Sequence, residues 1–105
     1  MRVSFDIDEL LEQIRDVDKD TIVAMIYNED VLDYLACNYI DDGGIIYGVV
    51  KNSSTSKKTI MFIANKVLEH KDLCSFNYLL IIHSLKNDDR LPKNTREKLA
   101  KLLIE

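Results

Sequence analysis

The two histidines and two cysteines are the residues of this chain best suited to nucleophilic chemistry. Such catalysis needs a Ser or Cys nucleophile, a His base and an orienting acid in matched positions. His83 follows Cys74 by nine residues, which on a helix gives neither the same turn nor the same face. We therefore interpret both His70 and His83 as structural and predict that the chain is not an enzyme.

The spacing of the cysteines, carboxylates and glycines does not fit a metal or cofactor site. Cys37 and Cys74 have no Cys-x-x-Cys spacing and no flanking His, and each falls in an apolar helical pattern, where a free cysteine is usually buried. Neither Asp41-Asp42 nor Asp88-Asp89 has the spacing of a calcium loop, and Gly43-Gly44 lacks the strand and lysine of a phosphate loop. We expect no metal and no cofactor, and the unpaired cysteines favour a cytoplasmic location.

Charge is divided unevenly along the chain. The 105 residues contain 14 Lys and Arg and 18 Asp and Glu, which gives a net charge of −4 and a pI near 5.1. Residues 1–50 contain twelve acids and three bases and carry −9, whereas residues 51–105 contain eleven bases and six acids and carry +5. The pattern predicts a charge dipole, which affects partners and association rates rather than the fold.

The acidic half also contains four of the five tyrosines, at positions 27, 34, 39 and 47. Tyrosine is enriched at binding hot spots, and a negative field speeds the encounter with a basic protein. Within a cluster that also includes Tyr27 and Glu29, we predict a partner-binding face formed by Asp30, Asp33, Tyr34, Tyr39, Asp41, Asp42 and Tyr47. The alternative is that these acids only keep the domain soluble.

A nuclease toxin is one kind of basic partner that such a face would fit, because carboxylates can take the place of phosphates in a site lined by Lys and Arg. Bacterial immunity proteins that neutralise secreted toxin nucleases are typically small, acidic and without catalytic residues. By this analogy, which concerns charge and size and not the fold, we interpret the chain as an immunity or antitoxin protein.

The basic half supports a different function. Lys51, Lys57, Lys58 and Lys66, with the serines of residues 53–56 at a helix N-terminus, could hold phosphates through backbone N–H groups and the helix dipole. Nucleic-acid binding is therefore the alternative function. The acidic pI argues against it, because nucleic-acid-binding domains are usually basic.

Apolar residues recur at helical spacing along the chain, and three glycines with one proline are too few for an all-β fold. We predict a single all-α domain, 1–105, with about seven helices at 6–15, 21–27, 29–38, 45–51, 56–70, 73–86 and 96–103. The predicted N-caps are Asp18 or Asp20, Asn28, Thr55, Asp72 and Thr95, and Asp41-Asp42-Gly43-Gly44 is expected to interrupt the helical pattern.

The sixth predicted helix is apolar on most sides, including Leu79 and Leu80, and is expected to be buried between neighbours. Its apolar stretch, 73–85, is too short to cross a bilayer. The N-terminal residues 1–11 carry acids where a signal peptide would carry bases. We therefore expect no membrane association.

Segments that begin at Asn28, Asn52 and Asn94 share a plan, in which an Asn is followed by a polar or charged first turn and an apolar stripe. Thr55 and Thr95 are 40 residues apart, close to the period of HEAT and armadillo repeats. Val49-Val50-Lys51-Asn52-Ser53-Ser54-Thr55, followed by Ala64, resembles the leucine-rich repeat variant form of HEAT-like repeats over residues 29–68. Ser53 and Ser56 stand where that family has prolines.

The resemblance implies a short right-handed stack of antiparallel helical hairpins, an α-α superhelix. Such stacks generally bind proteins, and less often nucleic acid, through one curved face. The iron–sulfur cysteine cluster known in that family has no counterpart in this sequence, so the resemblance adds no cofactor.

Overall fold

Six helices make up most of residues 16–69 and 78–104, the part of the chain that the computed structural model describes. They are α1 (Asp16–Val23), α2 (Glu29–Asn38), α3 (Gly43–Lys51), α4 (Lys57–Glu69), α5 (Tyr78–Lys86) and α6 (Lys93–Ile104). No strand occurs in these ranges, which confirms the predicted all-α class. The described helices number six rather than seven; the predicted helix 6–15 lies outside the described residues, as do His70, Asp72 and Cys74.

Helix α2 begins and ends where the sequence predicts. The Asn28 Oδ1 atom accepts hydrogen bonds from the backbone N–H groups of Asp30 at 2.9 Å and Val31 at 3.2 Å. These bonds satisfy donors that the first turn of a helix leaves without partners. The buried stripe of α2 is the predicted one and consists of Val31, Leu32, Leu35 and Ala36.

Helix α3 confirms the prediction of a helix over residues 45–51 but begins two residues earlier. Asp42 is its N-cap, because its Oδ1 atom accepts from the Ile45 N–H at 3.2 Å. The helical pattern is interrupted over residues 39–42, as predicted, but Gly43 and Gly44 already form the first two residues of α3. The Asp42 cap directly before them stabilises the first turn of the helix, and this offsets the low helix propensity of the two glycines.

The predicted N-caps of two other helices are wrong. Ser56 rather than Thr55 caps α4, since its Oγ atom accepts from the Thr59 N–H at 3.2 Å. The Thr55 hydroxyl instead donates to the Val49 carbonyl at 2.7 Å and is buried. Thr95 lies buried within α6, which already begins at Lys93.

The predicted bounds of the 21–27 helix are also wrong. Helix α1 includes Asp18 and Asp20, which the sequence suggested as caps, and it ends at Val23. The chain leaves this helix in a turn, in which the Ile26 N–H donates to the Val23 carbonyl at 3.1 Å. The Asn28 cap then starts a new helix.

The helices contact one another in two series. Helix α1 packs most extensively on α3, and α3 packs on α5; likewise α2 packs on α4, and α4 on α6. Contacts of α2 with α3, of α4 with α5 and of α5 with α6 join the two series. The radius of gyration is 13.1 Å, close to the value of about 13 Å for a compact domain of 100 residues.

The space between the series is filled by aliphatic side chains. The largest fully buried side chains come from all six described helices, and they are Val23, Leu32, Leu35, Ile45, Ile46, Ile60, Ile63, Ile81, Ile82, Leu85 and Leu99. In contrast with the prediction for the sixth helix, Leu79 and Leu80 are 61% and 49% exposed. Only one side of α5 therefore meets the core, through Ile81, Ile82 and Leu85.

Two polar side chains join the connections between helices. Asn52, which follows α3, is buried, and its Nδ2 group donates to the carbonyls of Val23, at 3.0 Å, and Ile26. The Asn52 Oδ1 atom accepts from the Ser54 N–H at 2.8 Å. This one amide therefore ties the α3–α4 connection to the α1–α2 connection.

Arg90, in the α5–α6 connection, makes the equivalent link to the α3–α4 connection. Its Nη1 group donates to the carbonyls of Asn52 at 2.8 Å and Thr55 at 2.9 Å, and its Nη2 group donates to the Val50 carbonyl at 2.8 Å. Asp88 orients the guanidinium by accepting from Nε at 2.9 Å and from Nη2 at 2.7 Å. The three connections thus form one hydrogen-bonded chain.

Candidate partner-binding surface

Of the residues predicted to bind a partner, three lie on α2 and differ in exposure. Asp30 is exposed in the first turn. Asp33 is half-buried, and its Oδ1 atom accepts from the Thr59 hydroxyl of α4 at 2.9 Å. Tyr34 is half-buried and packs against the core. Asp33 and Tyr34 therefore contribute to helix packing as well as to the surface.

The other predicted residues lie in the α2–α3 connection and on α3. Asp41 is exposed, whereas Asp42 caps α3 and forms an ion pair with Lys19 of α1 at 3.2 Å. Tyr39 and Tyr47 are half-buried against the core. Their role in binding stays a prediction, but Asp30 and Asp41 are the members of the predicted set that are exposed.

A more exposed apolar surface lies beside Asp30, in the connection between α1 and α2. Tyr27 is 88% exposed and Met25 is 67% exposed. Glu29 and Asp30 follow directly and are also exposed. We call these four residues, Met25, Tyr27, Glu29 and Asp30, the α1–α2 tip. An aromatic and a flexible thioether next to two carboxylates make an amphipathic, negatively charged contact surface.

The backbone that carries the α1–α2 tip is held from both sides. On one side, Asn52 donates to the Val23 and Ile26 carbonyls that flank Met25. On the other side, the Asn28 cap fixes the chain directly after Tyr27. Side chains presented by a fixed backbone lose less conformational entropy when a partner binds.

Sequence reasoning named Tyr27 and Glu29 in the acidic cluster but did not select Met25. The apolar run of residues 21–27 was interpreted as a helix, and apolar residues within a helix are expected to face a core. The available signal was Asn28. An N-cap leaves the residues before it outside the helix, so apolar side chains directly before an Asn cap can lie in an exposed turn.

The lysines predicted to contact nucleic acid differ in their surroundings. Lys57 and Lys58 are exposed in the first turn of α4. The Lys51 ammonium lies over the ring of Tyr47, with Nζ 4.5 Å from the centroid, and the Lys66 ammonium lies 5.7 Å from the Phe62 ring centroid. Both contacts are in the range of cation–π interactions. Lys51 and Lys66 therefore each contact a half-buried aromatic ring.

Cys37 was predicted to be buried and is instead exposed, near the end of α2. Partial desolvation raises the pKa of the Cys37 thiol, the Asp33 carboxylate one turn earlier raises it further, and the Lys58 ammonium lowers it. The hydrogen bond from Thr59 of α4 to Asp33 of α2 places these two helices next to each other. His83 is exposed in the last turn of α5. Over the described ranges, no group of three or more His, Cys, Asp or Glu residues is arranged to hold a metal ion.

No family model, curated protein or solved structure gave a significant match to this chain. None of the six described helices has the length and apolar character needed to cross a membrane.

Proposed function

We propose that this protein is a non-catalytic binding module whose α1–α2 tip contacts a basic protein. The observation that carries the proposal is the exposure of Tyr27 and Met25 on a backbone fixed by Asn52 and Asn28. Exposed large apolar side chains on a polar rim are typical of protein interfaces, and tyrosine is enriched among the residues that dominate binding energy.

Charge supports a basic partner rather than an acidic one. Helix α2 contains Glu29, Asp30 and Asp33 and no base. Tyr27 therefore lies directly before the cap and the acidic first turn of this helix. A partner that presents Lys and Arg around an apolar pocket would complement this arrangement, and the opposite charges would raise the rate of association.

We further propose that the three successive helix pairs form a short right-handed, HEAT-like stack. The contacts of α1 with α3 and α5, and of α2 with α4 and α6, support this arrangement, as does the hydrogen-bonded chain through Asn52 and Arg90. In a stack, the turns at one end form a continuous edge. The α1–α2 tip would then be the first turn of that edge.

Among basic partners, a secreted nuclease toxin is the class that we favour, so the protein would act as a bacterial immunity protein in the cytoplasm. The support is chemical. Carboxylates beside an aromatic ring can occupy a site built for phosphates and bases, because they match its positive charge and its flat apolar surfaces.

The test is affinity capture from the native source with two matched variants. The wild-type chain is expected to retain a basic protein that the double variant Tyr27→Ser and Asp30→Lys releases. Asp89→Lys is the control for charge, because it makes the same charge reversal at an exposed carboxylate in the α5–α6 connection. The captured protein is then purified and titrated calorimetrically with each variant.

Binding that is lost with the tip variant and kept with Asp89→Lys supports the proposal, and inhibition of the partner's nuclease activity would support the immunity role. Equal capture by the wild type and the tip variant would overturn it. Retention of nucleic acid that depends on Lys57 and Lys58 would instead favour the alternative function of the basic half.

A further inference from the structure

Helices α2 and α4 share one pattern of exposure but begin with opposite charges. Residues 29–37 of α2 and residues 57–65 of α4 have exposed, half-buried and buried side chains in the same order. At the buried positions both helices carry aliphatic residues, apart from Thr59 in α4. The exposed first turns differ in charge, with Glu29 and Asp30 in α2 and Lys57 and Lys58 in α4.

The two helices begin at the same end of the molecule and lie side by side. Asn52, in the connection that leads into α4, donates to the Val23 and Ile26 carbonyls at the connection that leads into α2. The Thr59 hydroxyl of α4 donates to Asp33 of α2 at 2.9 Å. The outer sides of the helices therefore form one surface, which we call the α2–α4 face and which consists of the exposed and half-buried residues of 29–37 and 57–65.

The charges at the two helix starts are not neutralised in pairs within one copy. None of the ion pairs found among the described residues includes Glu29, Asp30, Lys57 or Lys58. Helix α2 has no base in its ten residues, and α4 has no acid in its first turn. The α2–α4 face therefore carries a negative and a positive region side by side, and both are available to a second molecule.

Aromatic side chains lie one turn beyond the charges on both helices. Tyr34 on α2 and Phe62 on α4 occupy corresponding positions, and both are half-buried against the core. Met61 lies beside Phe62 and is also half-buried. Partly accessible aromatic and Met side chains next to charged residues match the composition of protein interfaces, which have an apolar centre and a polar rim.

We propose that the α2–α4 face binds a second copy of this chain in a symmetric dimer. A two-fold axis between the two helices, and parallel to them, places α2 of each copy on α4 of the other. The acids at the start of α2 then meet the lysines at the start of α4 at two equivalent contacts, and Tyr34 meets Phe62. An interface of this symmetry is self-complementary and closes at two chains.

The inference goes beyond the proposed function, with which it shares Glu29 and Asp30. A second copy and a basic partner at the α1–α2 tip would compete for these two acids. Lys58 is not part of the tip, so a variant at this position affects the dimer and leaves the tip unchanged. Loss of either proposal can therefore be recognised separately.

The test is sedimentation equilibrium of the full 12.1 kDa chain at low ionic strength. We expect a monomer–dimer equilibrium whose Kd rises with added salt, because salt screens exposed charges. Asp30→Lys and Lys58→Glu each bring like charges together at two contacts, so each variant is expected to raise the Kd about tenfold or more. In an equimolar mixture of the two variants, both contacts again join opposite charges, and a heterodimer with nearly the wild-type Kd is expected.

Asp89→Lys and Lys51→Glu are the matched controls, because they make the same two charge reversals at exposed positions outside the α2–α4 face. Each is expected to dimerise with the wild-type Kd. Thermal unfolding checks that every variant is folded, and Glu29→Lys with Lys57→Glu is a second pair for the same mixing experiment. A wild-type chain that stays monomeric at millimolar concentration, species larger than a dimer, or a mixture that forms no heterodimer would overturn the proposal.

Discussion

Arg90 stabilises the fold by satisfying backbone groups rather than by its charge alone. Its guanidinium donates to the carbonyls of Val50, Asn52 and Thr55, which end one helix and lead into the next. Asp88 holds the planar group in the orientation that reaches all three. A lysine at this position would keep the charge but could not provide the same fork of donors.

Replacing Arg90 by Met is expected to lower the free energy of unfolding by about 3 kcal/mol, because three carbonyls and the Asp88 carboxylate lose their donors in a half-buried site. Arg90→Lys should lower the free energy of unfolding by less than Arg90→Met does, but by more than half of that amount. Urea denaturation followed by circular dichroism measures both. If Arg90→Lys were as stable as the wild type, charge and not geometry would explain the role of Arg90.

Asp88 makes part of the stability dependent on pH. Burial by itself would raise the pKa of Asp88, but the hydrogen bonds from Arg90, together with the charges of Arg90 and Arg96, hold it below its ordinary range. A folded-state pKa below the unfolded value of about 3.9 means that this stabilisation is present above that pH. It is lost as the pH falls through the folded-state pKa.

Asp88→Asn should therefore be less stable than the wild type by a constant amount between about pH 5 and 7, and the difference should shrink below about pH 4. Urea denaturation of both proteins across this range measures the effect. A difference that stays constant down to the acid limit of the folded state would show that the negative charge of Asp88 does not contribute to stability.

At the scale of helices, the sequence was sufficient to predict the bounds of a helix where a single side chain caps the helix and an apolar stripe follows the cap. Asn28 and the stripe of α2 are the example. It was insufficient where two polar residues compete to cap a helix, as Thr55 and Ser56 do, because the choice depends on a carbonyl from the preceding helix. The partial burial of the predicted tyrosines depends on how each helix is rotated, which one sequence does not specify.

The packing of α2 against α4 can be tested through the reactivity of Cys37. In a Cys74→Ser background, Asp33→Asn should lower the pKa of the Cys37 thiol and speed its alkylation at neutral pH, because the Asp33 charge raises that pKa. Lys58→Met should have the opposite effect, since the Lys58 ammonium lowers the pKa. The pH profile of alkylation by iodoacetamide gives both pKa changes. Lack of an effect from Lys58→Met would show that the Lys58 ammonium does not act on the Cys37 thiol.

At the scale of the whole molecule, the uneven charge of the sequence becomes a gradient across one series of helices. Helix α2 has acids only, whereas bases outnumber acids in α4 and in α6, its successors in the series of contacts. The sequence predicted two oppositely charged halves. It could not predict the chain of Asn52 and Arg90, because these residues lie 38 positions apart in connections that carry no periodic pattern.

That chain of hydrogen bonds predicts cooperative unfolding. Because each connection is bonded to the next one, no helix pair can separate without exposing unpaired carbonyls of its neighbour. Urea unfolding should be a single transition, coincident by circular dichroism and tyrosine fluorescence, with a slope of about 1 to 1.5 kcal/mol per M. Two transitions, or probes that do not coincide, would show that the helix pairs unfold independently.

The hydrogen-bonded chain also has a direction, which matters while the protein is being synthesised. The carbonyls of Val23 and Ile26 receive their donor only when Asn52 has been made, and the carbonyl of Asn52 receives its donor only with Arg90. Ribosomes add residues in that order. Each of the first two connections therefore lacks these donors until the following connection has emerged, so the native bonds of the nascent chain close in order from the first connection to the last.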